Sequence, residues 1–201
     1  MSNQAGCNVA IDIGGTSIKG AVFSSLDGTS KVSEFRCLTK NNFETDIKNI
    51  IESIRESLPN QDVCAVSLSV PGLLSEDRKT LTESRNMTDW KNKPLVESFE
   101  KEFPGAKVIL ENDAKAAALG QAVFSWPGDD FLMVMWGTGL GGSLVRKTKD
   151  HKFDLTPLEL GHLFLKSKLG KLTLLEDLVG GCLSRKTFWC RAVAAHPCAV
   201  A

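Results

Sequence analysis

The sequence predicts a mixed α/β protein built as two lobes on one plan. Three observations carry this. Short apolar runs that read as strands are interleaved with stretches of helical periodicity. Two glycine-rich turns, Asp12-Ile13-Gly14-Gly15-Thr16 and Gly137-Thr138-Gly139-Leu140-Gly141-Gly142, each interrupt a pair of such strands. The strand–turn–strand pattern near the start of the chain returns from Phe131, which makes a weak internal repeat. At 201 residues the chain has room for one large domain or two small lobes. The lobes are expected at residues 1–112 and 113–201, with the second copy cut short at Ala201.

Each element has its own signal. Val9, Ile11 and Ile13 alternate with Ala10 and Asp12 and predict the first strand. Ile18 to Ser25 and Lys31 to Thr39 predict two more, joined by a turn at Asp27-Gly28. Ile47, Ile50, Ile51, Ile54 and Leu58 share one stripe and predict a helix over 44–58, stopped by Pro59-Asn60. Val63 to Val70 reads as a strand running into Pro71-Gly72. Pro94 opens a helix that turns Leu95, Val96, Phe99 and Phe103 inward, and Pro104-Gly105 closes it. Lys107 to Leu110 is a strand ending at Glu111-Asn112-Asp113, and the alanines 114, 116, 117 and 118 favour a helix after it. Phe131 to Trp136 and Ser143 to Val145 flank the second glycine turn.

Composition narrows the function. Hydrophobic residues make 42% and charged residues 24%, as in ordinary globular proteins. Lys+Arg and Asp+Glu are both 24, so there is no basic excess and no nucleic-acid partner is expected. The longest purely apolar run, Phe131 to Trp136, is far below the ~20 residues that span a bilayer, so no membrane partner is expected. The first residues carry neither a basic region nor an apolar stretch, so no secretory signal is expected. Cysteines at 7, 37, 64, 182, 190 and 198 are too scattered for a disulfide scaffold. They read as reduced thiols in a cytoplasmic protein.

The chemistry gathers in the turns and strand ends. Glycines between strands let backbone N–H groups come close to an anion. In the first turn Thr16 adds a hydroxyl for a phosphate oxygen, and Asp12 is suited to holding Mg²⁺ through water. A plain hairpin turn with an exposed aspartate accounts for the same residues. Gly137, Gly139 and Gly142 fit G-x-G-x-x-G, but Ser143-Leu144-Val145-Arg146 is strand-like where a dinucleotide-binding turn must open a helix. Asp113 and Asn112 sit where an apolar strand meets a helix, a place for ligand contacts and equally for a helix cap. His162 by itself reads as a satisfied core histidine.

Taken in order, Asp12-Ile13-Gly14-Gly15-Thr16, Val70-Pro71-Gly72, Glu111-Asn112-Asp113, Gly137 to Gly142 and Glu159-Leu160-Gly161-His162 resemble the ROK-family sugar kinases (repressor, open reading frame, kinase). The resemblance covers roughly residues 8–181. It implies an actin/hexokinase-like ATPase fold with a complete N-terminal lobe and a partial C-terminal lobe. It implies an ATP- and Mg²⁺-dependent phosphotransferase acting on a hexose of the glucose or N-acetylhexosamine class. Asp113 would be the general base: a carboxylate is ionised at neutral pH and accepts the hydroxyl proton as the phosphoryl group transfers. Asp12, Gly14, Gly15, Thr16 and Lys19 would serve the nucleotide from the first lobe, and Gly137, Thr138, Gly139, Gly141 and Gly142 from the second. Gly72, Asn112, Asp113, Glu159, His162 and Glu176 would bind the sugar. The expected partners are the sugar and ATP, with a homodimer as the candidate assembly.

Three departures from the family pattern follow. Many members carry a cysteine-rich zinc loop after the Gly-His, whereas Leu163 to Leu175 holds no cysteine, so no metal site is expected there. The pattern resumes at Leu175-Glu176-Asp177-Leu178-Val179-Gly180-Gly181, which keeps the family's second sugar-binding glutamate at Glu176. The first strand is expected to begin by about Asn8, so the DNA-binding segment of the family's repressors is not expected. Beyond Gly181 the family pattern stops, and Cys182, Cys190, His196 and Cys198 match no familiar zinc spacing. A catalytically inactive sugar-binding remnant of the same family is the competing expectation.

Overall fold

The computed structural model describes residues 6–24, 30–59, 62–136, 139–150, 152–166, 170 and 172–179. The chain divides into two compact units, Met1–Asp113 and Ala114–Ala201.

In the first unit β1 (Cys7–Ile13), β2 (Ser17–Ser24) and β3 (Lys31–Leu38) form an antiparallel meander. The helix α1 (Phe43–Ser57) leads to β4 (Val63–Val70), which lies parallel to β1 on its other side. A short hairpin of β5 (Leu73–Leu74) and β6 (Leu81–Glu83) follows, then a 3-10 turn at Thr88–Trp90 and the helix α2 (Leu95–Glu102). Finally β7 (Lys107–Asn112) pairs parallel with β4, giving the sheet order β3-β2-β1-β4-β7.

Local chemistry explains these elements. Along β1 the residues Cys7, Val9, Ile11 and Ile13 are buried while Ala10 and Asp12 are exposed, the alternation of a half-buried strand. Asn42 caps α1 by accepting the Thr45 N–H, and Glu44 and Asp46 sit in its first turn, where the helix dipole favours negative charge. Its stripe of Phe43, Ile47, Ile50, Ile51 and Ile54 is buried, and Trp90 meets Phe43 edge-on at 5.2 Å. Phe103 caps the end of α2 and is partly buried against this core. The strand β7 runs two residues beyond the expected Leu110, so Glu111 and Asn112 are paired with β4 at Ser69 and Val70. The turn expected at Asp27-Gly28 lies outside the described residues.

The helix α3 (Asp113–Phe124) starts at the last residue of the first unit, and the rest of it belongs to the second, buried along Ala114, Ala118 and Ala122. Then β8 (Phe131–Trp136), β9 (Leu140–Lys147) and β10 (Phe153–Leu158) form an antiparallel meander in the order β10-β9-β8. This is the same arrangement as β3-β2-β1, so the weak sequence repeat is a repeat of structure. Ala118, Ala122 and Val145 form a small core, against which Trp126, Phe131, Met133, Phe153 and Leu155 pack. A 3-10 turn at Leu160–His162 precedes a two-stranded ribbon, β11 (Phe164–Lys166) and β12 (Leu172–Leu174), and then α4 (Leu175–Val179).

One expectation is corrected here. Gly141 and Gly142 belong to β9, paired with Met135 and Val134, and are not part of the turn. Glycine is a poor strand residue, but a Cβ on Gly142 would lie 2.7 Å from Leu160 Cδ1 and 3.0 Å from the Met133 carbonyl oxygen. The close approach of the Met133 backbone, with the Leu160 side chain beside it, is what favours glycine there. No helix among the described residues is long and apolar enough to cross a membrane.

Candidate active site

In the first unit the parallel strands β1, β4 and β7 end on one edge of the sheet. Asp12 pairs with Ser69, Ser69 with Glu111, and Val70 with Asn112. Carboxyl ends of parallel strands are where α/β sheets present side chains to ligands. Asp12 is exposed, accepts a hydrogen bond from Ser69 Oγ at 3.1 Å, and lies 3.9 Å from Lys19 Nζ across the β1–β2 hairpin. Asn112 closes β7, and Asp113 is the first residue of α3.

The first glycine turn is held from two sides. Gly14 N–H donates to the Ser17 carbonyl at 3.1 Å, and Thr39 N–H donates to the Thr16 carbonyl at 3.2 Å. The Thr39 hydroxyl donates to the Gly14 carbonyl. A Cβ on Gly15 would lie 2.8 Å from Asn86 Cβ, so only glycine lets the turn sit against Asn86.

Gly72 and Asn112 are joined directly: the Asn112 side-chain amide donates to the Gly72 carbonyl at 3.1 Å. Glu111 accepts from Arg78 at 2.6 Å and from the Asn112 backbone N–H at 3.0 Å. Arg78 has φ of 54°. Its loop is tied by Ser75, whose hydroxyl donates to Asp77 at 2.6 Å and accepts from the N–H groups of Lys79 and Thr80 at 3.1 Å each. The Ser75 hydroxyl, then the Lys79 N–H, hold the exposed Asp77 carboxyl below its ordinary range. The loop thus presents Arg78 to the end of β7.

In the second unit Glu159 stands at the N-cap of the 3-10 turn Leu160–His162, where its backbone carbonyl accepts the His162 N–H at 3.0 Å. His162 is exposed, and its Nε2 lies 4.0 Å from the largely buried carboxylate of Glu176 on α4. A Cβ on Gly161 would lie 2.7 Å from Glu176 Oε2, and one on Gly139 would lie 3.0 Å from the same atom. The Glu-Leu-Gly-His motif, Glu176 and Gly139 are therefore neighbours within this unit. Gly137 and Thr138 lie outside the described residues, as do Gly180, Gly181 and the cysteines beyond. Among the described residues there is no cluster of three or more side chains of metal-ligating type.

Sequence reasoning missed Ser69, Thr39, Asn86 and Arg78 as neighbours of the site. Ser67 and Ser69, small polar residues alternating within an apolar strand, were a signal for the first. The others are brought in by non-local contacts that leave no local pattern.

Both units thus end strands or turns in groups suited to phosphates and hydroxyls, on the fold of the actin/hexokinase-like ATPases. The chain matches the ROK family over residues 8–189 and belongs to that family. It is 32% identical over 165 residues to a glucokinase of Thermotoga maritima, covering 79% of this chain and 50% of the relative. It is 32% identical over 170 residues to an N-acetyl-D-glucosamine kinase of Haemophilus influenzae, covering 81% and 54%. A xylose repressor of Bacillus subtilis is 27% identical over 148 residues, 70% of this chain and 38% of that one. Among solved structures, a ROK glucokinase from Streptomyces griseus in complex with glucose and AMPPNP superposes with a TM-score of 0.67 at 29% identity, over 86% of this chain and 56% of that one. The chain spans about half the length of the curated kinases it matches.

Proposed function

We propose that this chain carries the sugar-binding and phosphate-binding elements of an ATP-dependent hexose kinase, with glucose or an N-acetylhexosamine as the sugar. The observation that carries this is the alignment of Asp12, Ser69, Glu111 and Asn112 along one sheet edge, with Asp113 directly following. Its kinase relatives support the same class.

In this reading the sugar hydroxyl donates its proton to Asp113 while its oxygen forms the new bond to the γ-phosphorus. The bond between that phosphorus and the bridging oxygen breaks, and ADP leaves. Gly14, Gly15, Thr16 and Lys19 engage the phosphates on the first unit, and Gly137, Thr138, Gly139, Gly141 and Gly142 on the second. Gly72, Asn112, Glu159, His162 and Glu176 engage the sugar, and the spacing of His162 and Glu176 suits one hydroxyl bonded to both. Asp12, with the Ser69 hydroxyl on its carboxylate, would hold Mg²⁺, which takes one or two carboxylates with water and phosphate oxygens. Bound there, Mg²⁺ would neutralise phosphate charge. A cytoplasmic setting goes with this reading, with a homodimer as the candidate assembly.

The test is titration of the chain with glucose, N-acetylglucosamine and AMPPNP with Mg²⁺, followed by calorimetry and by melting temperature. A ligand that binds the folded state raises that temperature. Binding of a hexose and of AMPPNP is the expected result. Binding of sugar alone would favour a sugar-binding protein without transfer, a reading the similarity to a repressor supports. Binding of neither would overturn both.

A further inference from the structure

We propose that Thr39 is the positioning residue of the first phosphate turn. The inference rests on the kinase reading, which brings nucleotide phosphates to this turn. Thr39 follows the last residue of β3 and makes two hydrogen bonds to the turn, its hydroxyl to the Gly14 carbonyl and its N–H to the Thr16 carbonyl. Among the described residues there are no cis peptide bonds. In a trans peptide the N–H points opposite to the C=O of the same unit. Fixing the Gly14 carbonyl on Thr39 therefore turns the Gly15 N–H away from Thr39. Gly15 is exposed, so that N–H is presented on the open side of the turn. An N–H held in this way costs an arriving phosphate no reorganisation.

Thr39 is itself anchored. The next N–H, of Lys40, donates at 2.9 Å to Asp46 Oδ1, and Asp46 is fully buried in the first turn of α1. The Asp46 N–H donates in turn to the Asn42 carbonyl at 2.9 Å. A buried carboxylate thus fixes the segment from which Thr39 reaches the turn. Of the two bonds that Thr39 makes to the turn, the one from its hydroxyl is removed by a substitution without touching backbone.

The experiment compares Thr39→Val and Thr39→Ser in the full chain. Valine keeps the shape and loses the hydroxyl, while serine restores it. For Thr39→Val, AMPPNP affinity should fall roughly three- to tenfold, the range of one hydrogen bond, with glucose affinity unchanged. Thr39→Ser should recover to within about twofold. In the ligand-free chain, the backbone order parameter at Gly15 should fall in Thr39→Val and not in Thr39→Ser. If Thr39→Val unfolds, Thr39→Ala removes the same hydroxyl without setting a methyl against the Gly14 carbonyl and is read the same way. Unchanged AMPPNP affinity and an unchanged Gly15 order parameter would overturn the role of Thr39 and leave the kinase reading standing. A wild-type chain that binds no AMPPNP would overturn both.

Discussion

Asn112 and Gly72, 40 residues apart in sequence, are joined by a hydrogen bond from the asparagine amide to the glycine carbonyl. The glycine can stand there for two reasons. Its φ is +125°, and a Cβ would lie 2.0 Å from the Glu83 carbonyl oxygen. Gly72→Ala should therefore cost about 1–3 kcal/mol of stability and release Asn112 from its orientation. Urea unfolding reads the first effect and glucose titration the second. A variant as stable as wild type would show that the backbone here relaxes freely.

Asp113→Asn should remove most phosphoryl transfer in any catalytically competent form, by roughly 10²–10⁴-fold, while sugar affinity stays within a few fold. Asparagine keeps the shape and cannot take the proton. Turnover in a coupled assay, set beside calorimetric sugar binding, separates the two. Near-normal turnover would exclude Asp113 as the base.

Gly161→Ala would push against the Glu176 carboxylate on one side and the Leu140 carbonyl, 2.8 Å from the new Cβ, on the other. The flexible carboxylate moves more easily than strand backbone. Sugar affinity should fall by about an order of magnitude, as expected when a buried hydrogen-bonding group loses its place. Affinity equal to wild type would remove Glu176 from the sugar site.

Burial pushes the Cys7 thiol above its ordinary value, and Cys64 adds to the shift; burial and then Asp46 do the same to Cys37. Groups whose folded-state values are raised hold protons more tightly in the folded chain. Their contribution is complete below the ordinary thiol value of 9.0 and is lost as pH climbs through the folded-state values. The chain contains no tyrosine, which keeps that window clear of phenol ionisation. Cys7→Ala should lower the melting temperature at neutral pH and flatten its decline above about pH 9. An unchanged slope would show that Cys7 ionisation is uncoupled from folding.

The elements with local periodicity were legible in the sequence. The alternation of Val9, Ile11 and Ile13 and the stripe of Ile47, Ile50, Ile51 and Ile54 announce β1 and α1 because each records one buried face. Residues 163–175 gave no such record, and the ribbon of β11 and β12 there has Phe164, Leu165 and Leu172 exposed. Gly141 and Gly142 were misread as turn because their reason, the approach of Met133 and Leu160 to Gly142, lies outside the local pattern. The motif residues of the site could be named from sequence. Their supports could not: Thr39 reaches Gly14 across 25 residues, and Arg78 reaches Glu111 across 33.

The placement of the indole rings gives each unit its own optical signal. Trp90 is 1% exposed against Phe43 in the first unit, whereas Trp126 lies against Phe131 and Phe153 at 5.6 and 5.2 Å in the second. Emission from a shielded indole is blue-shifted and poorly quenched, and it moves to the red when water reaches the ring. A chain keeping only Trp90 would report melting of the α1 core, and one keeping only Trp126 would report melting of the β8–β10 meander. Two emission curves that separate along a denaturant axis would show that the halves of this polypeptide unfold as independent bodies.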